Sequence, residues 1–136
     1  MPKNGLLFLN GDNKYCLNLY KNLQTKKINK KLYSETGNGV NSEIWAREVE
    51  VKKEHISFLA MSKDKHMAHF KVSVLGRHNL QNLLGAILIA KELGMSFEEI
   101  SKAAKKIKPE QSGIITKKGI HNIDVIDSSY SSNPEG

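Results

Sequence analysis

The segment Gly76-Arg77-His78-Asn79-Leu80-Gln81-Asn82 runs straight into the apolar helical stretch Leu83-Leu84-Gly85-Ala86-Ile87-Leu88-Ile89-Ala90. Any fold for this chain must seat that helix while leaving carboxamides at its entrance. The leading backbone N–H groups of a helix lack intrahelical partners, and the partial positive charge there favours anionic or acceptor-rich ligands. Asn79 and Asn82 stand three apart on one face of the first turn. A carboxamide donates and accepts together, as reading a purine edge requires. Asparagine is also a common helix cap, so on these residues alone capping and ligand contact both stand.

Periodicity organises the rest of the chain. Leu6 to Leu9 is a continuous apolar run bounded by Asn10-Gly11-Asp12-Asn13, the pattern of a buried parallel strand and a turn. Asp12 or Asn13 can cap the next element, in which Tyr15, Leu19, Tyr20 and Leu23 recur at helical spacing. Residues 28–34 can form another strand, followed by the loop Glu35-Thr36-Gly37-Asn38-Gly39. Three alternating segments, 43–51, 55–61 and 67–74, are separated by Lys52-Lys53-Glu54 and Ser62-Lys63-Asp64-Lys65, and such short polar connectors argue for antiparallel hairpins. Helices are predicted over about 78–93 and 96–107. Gly94 serves as a stop, Ser96-Phe97-Glu98-Glu99 as a capping box, and Pro109 blocks continuation. The last strands are predicted over 113–116 and 123–127, separated by Lys117-Lys118-Gly119.

At 136 residues, 39% of them apolar, the chain is long enough to bury a core, and no window approaches the run of apolar residues that spans a membrane. There is no signal-peptide pattern. The single cysteine, Cys16, cannot form an internal disulfide and reads as a small buried hydrophobe in a reduced compartment. A net charge of +7 raises nucleic acid as a partner. The densest run, Lys26-Lys27-Ile28-Asn29-Lys30-Lys31, has no aromatic stacking motif beside it, so a solvated face is the better reading and no nucleic-acid partner is expected.

Other chemistries find little support. His66 and His69 are three apart beside a strand and fall on opposite faces, and with His55 and His121 they make no convincing metal set. Ser128, Ser129, Ser131 and Ser132 lack a His and acid arrangement or a nucleophile elbow. No Gly-x-x-Gly-Lys-[Ser/Thr] loop occurs, so the chain offers no such cradle for nucleotide phosphates.

Taken in order, Gly76-Arg77-His78-Asn79-x-x-Asn82, the apolar helix, Leu93-Gly94-Met95-x-x-Glu98-Glu99-Ile100, and Ile126-Asp127-x-x-Tyr130-x-x-Asn133-Pro134 resemble the Mur ligase family. The resemblance is closest to the MurF branch, which adds D-alanyl-D-alanine to the muramoyl tripeptide. Pro2-Lys3-Asn4-Gly5 and Leu6 to Asn13 resemble the family's strand ending in Asn-Ala-Asp-Asp, so the likeness spans the chain. It implies an α/β fold, a partial Mur ligase central domain: a mainly parallel sheet with flanking helices plus a small three-stranded antiparallel sheet at about 43–74. Residues 1–127 would be the second half of the central ATPase domain, and 128–136 the start of a linker to a C-terminal domain.

The activity implied for the parent is ATP-dependent amide-bond formation in peptidoglycan precursor synthesis, in the cytoplasm. ATP phosphorylates the carboxylate of a UDP-muramoyl peptide to an acyl phosphate, and the amine of D-alanyl-D-alanine displaces the phosphate. The family's Mg2+-binding Glu and His, its modified Lys and its phosphate loop belong before residue 1. The chain is therefore expected to be inactive alone and, as a sheet cut through its middle, to self-associate.

By the same resemblance Asn79 and Asn82 match the amides at the adenine, with Asn82 the better adenine contact. His78 matches the motif's histidine and reads as a helix-entrance hydrogen-bonder. Arg77 either meets a phosphate or covers the sheet edge. Asp127 either accepts from the ribose hydroxyls or caps the following turn. Ser128 stands where the family's ribose acid would be. Tyr130, Asn133 and Pro134 match the linker start that positions the C-terminal domain, or form a plain surface turn. The family's usual Gly-Arg appears as Gly113-Ile114, and an aliphatic side chain cannot replace a charged planar fork. These departures admit an alternative, a degenerate Mur-like module that binds a nucleotide or a protein without catalysis.

Overall fold

A computed structural model of the chain describes residues 5–23, 28–37, 41–108 and 115–127. Strand β1 (Leu6–Asn10), helix α1 (Lys14–Asn22) and strand β2 (Asn29–Tyr33) form a parallel unit with Leu6 opposite Asn29 and Asn10 opposite Tyr33. Asn13 rather than Asp12 caps α1, accepting from the N–H groups of Tyr15 and Cys16. The Asp12 carboxylate is taken up elsewhere: it accepts from the Ser34 hydroxyl at 2.7 Å and the Glu35 N–H at 2.6 Å. The carboxyl ends of β1 and β2 are thereby tied together.

The antiparallel unit expected at 43–74 is present as β3 (Ile44–Val51), β4 (Ile56–Ser62) and β5 (Met67–Val72). It continues the first pair edge to edge, in the order β1-β2-β3-β4-β5, because Ile44 bridges in parallel to Tyr33. That bridge joins the last residue of β2 to the first of β3. The remainder of β3 therefore runs on past the carboxyl end of β2, by roughly 20 Å at strand rise. A bulge between Arg47 and Glu50, with Glu48 at φ 53°, bends the projecting strand.

Helices α2 (Asn79–Glu92) and α3 (Phe97–Ala104) cover one sheet face. Ile44, Ala46, Ile56, Phe58, Phe70 and Val72 meet Leu80, Leu84, Ile87 and Leu88 of α2 and Phe97 and Ile100 of α3 in one core. Phe8 and Tyr33 pack against this core, and alternation buries Leu9 and Leu32 on the other face. Gly85 lets α2 approach closely: a Cβ there would lie 3.2 Å from Tyr33 Cζ. At the far end of α2, Gly94 adopts φ +93°, its N–H bonding Lys91 O while the Met95 N–H bonds Ala90 O, which is a Schellman stop. Ser96 and Glu99 form the predicted reciprocal capping box of α3. Lys91 to Asp64 (2.7 Å) and Lys31 to Glu92 (2.5 Å) fasten that end of α2 to the sheet.

Two expectations are corrected. Cys16 is only half-buried, since α1 rests on β1 with no residue buried, Tyr15 and Leu19 being 72% and 45% exposed. Lys117 and Lys118 belong to strand β6 (Ile115–Lys118), not to a connector. They pair with Val125 and Asp124 of β7 (Asp124–Asp127) in a separate antiparallel hairpin closed by Gly119 and a 3-10 turn, Ile120–Asn122. The pairing places opposite charges across the strands, Lys118 to Asp124 at 2.8 Å. Among the described residues no helix is long and apolar enough to cross a membrane.

Candidate functional site

The entrance of α2 meets the carboxyl ends of β1 and β2, where open α/β sheets place their ligand crevices. Gly76 has φ +83°, and a Cβ there would lie 2.6 Å from His78 Cε1, so the turn into the helix needs glycine and the imidazole lies over it. His78 occupies the N-cap position with helical angles and supplies no side-chain cap. The capping reading of Asn79 is thus not what is found: Asn79 is the first helical residue. Its Nδ2 donates to Leu75 O at 2.6 Å and lies 3.2 Å from His78 Nε2.

Asn82 donates from Nδ2 to Asn79 Oδ1 at 3.3 Å. The two amides form a relay anchored on the Leu75 carbonyl. The Asn82 carbonyl and its second N–H have no partner among the described residues, so Asn82 presents one acceptor and one donor outward. Asn79 acts as the holder and Asn82 as the presenting group.

Arg77 ion-pairs with Glu35, just beyond β2, and so covers the sheet edge while its side chain stays 62% exposed. Two contacts here escaped the sequence reading. Asn10 at the end of β1 donates to Gln81 Oε1 at 2.9 Å, and Glu35 supplies the partner of Arg77. The available signal was a polar residue closing an apolar strand and a glutamine between the two asparagines. Their pairing across about seventy residues has no local pattern. Beneath the edge, the Tyr33 hydroxyl is pushed up from its ordinary pKa by burial first, then by Cys16 and Asp12.

Arg77, His78, Asn79 and Asn82 are thus brought together with Asn10, Gln81 and Glu35. Asp127 ends β7, opposite Ile115 of the hairpin. Lys53 in the β3–β4 turn pairs with Asp124 at 2.8 Å and links that hairpin to the projecting part of the sheet. Two lysines, Lys118 first and then Lys53, hold the Asp124 carboxyl down at about 2. Ser128, Tyr130, Asn133, Pro134 and Ile114 lie outside the described residues. No group of three His, Cys, Asp or Glu among the described residues is placed to hold a metal. His66 instead sits 3.1 Å from Asp64.

Known proteins resemble this chain in sequence and in fold. The chain is 30% identical over 126 residues to the UDP-N-acetylmuramate–L-alanine ligase of Dictyoglomus turgidum, covering 93% of this chain and 26% of that protein. Its fold matches MurF from Acinetobacter baumannii with a TM-score of 0.80 at 18% identity, covering 99% of this chain and 28% of that one. It also matches the MurF ligase of Thermotoga maritima, solved in complex with ADP, with a TM-score of 0.67 at 14% identity over 98% and 29% of the two chains. The chain thus spans about a quarter of the length of the curated relatives it matches. The profile of the Mur ligase middle domain matches residues 1–90, and with that match over most of its length the chain belongs to the Mur ligase family.

Proposed function

We propose that this chain is the second half of the central domain of an ATP-dependent Mur-type amide ligase and supplies the adenine and ribose side of its nucleotide site. The observation that carries this reading is the presenting amide of Asn82, held by Asn79 at an uncapped helix entrance. One acceptor and one donor on the same carboxamide fit the edge of adenine, and the adjacent N–H groups of α2 favour acceptor-rich ligands. His78 fixes the turn and Arg77 closes the edge, with Asp127 and Ser128 on the ribose side. Tyr130, Asn133 and Pro134 lead into the linker.

In the parent, ATP and Mg2+ would meet phosphate-loop and metal-binding residues outside this chain, which alone is inactive. The reaction proposed is transfer of the γ-phosphoryl group to the carboxylate of a cytoplasmic UDP-muramoyl peptide. Attack by an amine then releases phosphate and a proton. The order of motifs favours D-alanyl-D-alanine as the amine. The 30% identity to a ligase named for L-alanine favours a second reading, L-alanine, and an amine-dependence assay on the parent separates them. Ile114 and Ser128, at positions where the family usually has an Arg and an acid, support the remaining alternative of a degenerate nucleotide- or protein-binding module.

Titration of the chain with ADP, followed by backbone amide shifts, tests the site. The expected result is saturable perturbation around Asn79, Asn82 and Asp127, weakened about tenfold in Asn82→Ala, which removes roughly one or two hydrogen bonds to the base. Perturbation that spares the α2 entrance would remove the proposal.

A further inference from the structure

Across the sheet from α2 lies a second cleft, of about 280 Å³, lined by Thr36, Gly37, Asn41, Ser42, Trp45, Arg47 and Lys63. Trp45 and Arg47 alternate along β3 with the core residues Ile44 and Ala46, so they face away from the proposed nucleotide site. Ser42 is 5% exposed, and its Oγ is a buried side-chain oxygen with no hydrogen-bond partner among the described residues. A buried hydroxyl is ordinarily satisfied, so this one is an unfilled donor in the wall of a cleft.

The other groups point the same way. Arg47 is exposed on β3 and lines the same cleft, with no ion pair or hydrogen bond of its side chain to another described residue. Lys63 donates to Asn41 Oδ1 at 2.9 Å and has its nearest carboxylate, Glu43, at 3.8 Å, which leaves ammonium donors for another acceptor. The indole of Trp45 forms an apolar wall, and the chain is packed tightly on it: Gly37 has φ +70°, and a Cβ there would lie 2.8 Å from Trp45 Cγ. A hydroxyl, a guanidinium and an ammonium in the lining of one cleft with an indole suit a tetrahedral oxyanion carrying a flat organic group.

We propose that this cleft binds a phosphate monoester. The phosphate lies between Arg47 and Lys63 and gives the Ser42 hydroxyl its acceptor, and the organic portion lies against Trp45.

Trp45 is the single tryptophan of the chain, so its fluorescence reads the cleft directly. The full chain is titrated with phenyl phosphate and with inorganic phosphate, at ionic strength held constant with potassium chloride. The expected result is a saturable change for both, tighter for phenyl phosphate, with Ser42→Ala and Arg47→Gln each weakening affinity at least tenfold. Ser42→Ala removes only an unsatisfied hydroxyl, so its melting temperature should equal or exceed that of the wild type while binding is lost. A response that chloride reproduces, that never saturates, or that both variants retain with unchanged affinity overturns the proposal.

Discussion

Gly76 and Gly94 both adopt left-handed backbone angles, φ +83° and +93°, yet a side chain would meet different surroundings at each. At Gly94 a Cβ meets nothing within 4 Å, so Gly94→Ala carries the conformational cost alone, about 1 kcal/mol. At Gly76 the Cβ would stand 2.6 Å from the His78 ring, so Gly76→Ala must also displace the imidazole and should cost about 2 kcal/mol or more. Denaturant unfolding of the two variants checks the order, and equal losses would show that His78 is not held over Gly76. The pattern of residues 76–82 announced a special entrance. Resemblance singled out Asn82 as the contact, but the residues alone did not announce that Asn79 is the holder, because that depends on its bonds to the Leu75 carbonyl and to Asn82.

Among the elements, the end of α2 is fixed to the β4–β5 turn by Asp64, which accepts from Lys91 at 2.7 Å and also from the Ser62 hydroxyl. These two bonds, with a smaller one from His66, hold the Asp64 carboxyl well below the usual carboxylate range. A carboxyl depressed in the folded state stabilises fully above its unfolded pKa of about 3.9, and that contribution drains as pH falls towards the folded value. Asp64→Asn should therefore melt below the wild type at pH 7, with the gap narrowing as pH drops below about 4. A gap independent of pH would place the loss in the turn geometry rather than in the charge. The capping box and the glycine stop were legible here because each is a local pattern. The partner of Asp64 was not, since Lys91 lies 27 residues away.

For the whole molecule, two seams are exposed. The β6–β7 hairpin is joined to the projecting end of the sheet through Lys53 and Asp124, whose side chains are 82% and 42% exposed. Such an ion pair is screened by salt. Amide exchange across 115–118 and 124–127 should accelerate in Lys53→Glu or in high salt while β3–β5 stay protected. Unchanged exchange would mean that other contacts hold the hairpin. The second seam is β1, terminal in the sheet, with an apolar run and the exposed Tyr15 and Leu19 beside it. An edge of this kind pairs readily with another strand. Sedimentation equilibrium should show concentration-dependent self-association that Leu7→Lys suppresses, and a monomer at every concentration would exclude this edge as an interface.

The sequence by itself determined the segments that become β1 to β5 and α1 to α3, the capping of α3, the stop at Gly94, and the family, because each of these is written in residues close along the chain or in the order of its motifs. Only the tertiary structure decided that β3 continues the parallel pair through one bridge, that Lys117 and Lys118 lie in a strand, that Arg77 pairs with Glu35, and that Ser42, Trp45, Arg47 and Lys63 line one cleft. Register and long-range polar pairing are set by which surfaces meet once the core has closed, and distant residues carry no shared pattern that fixes them beforehand.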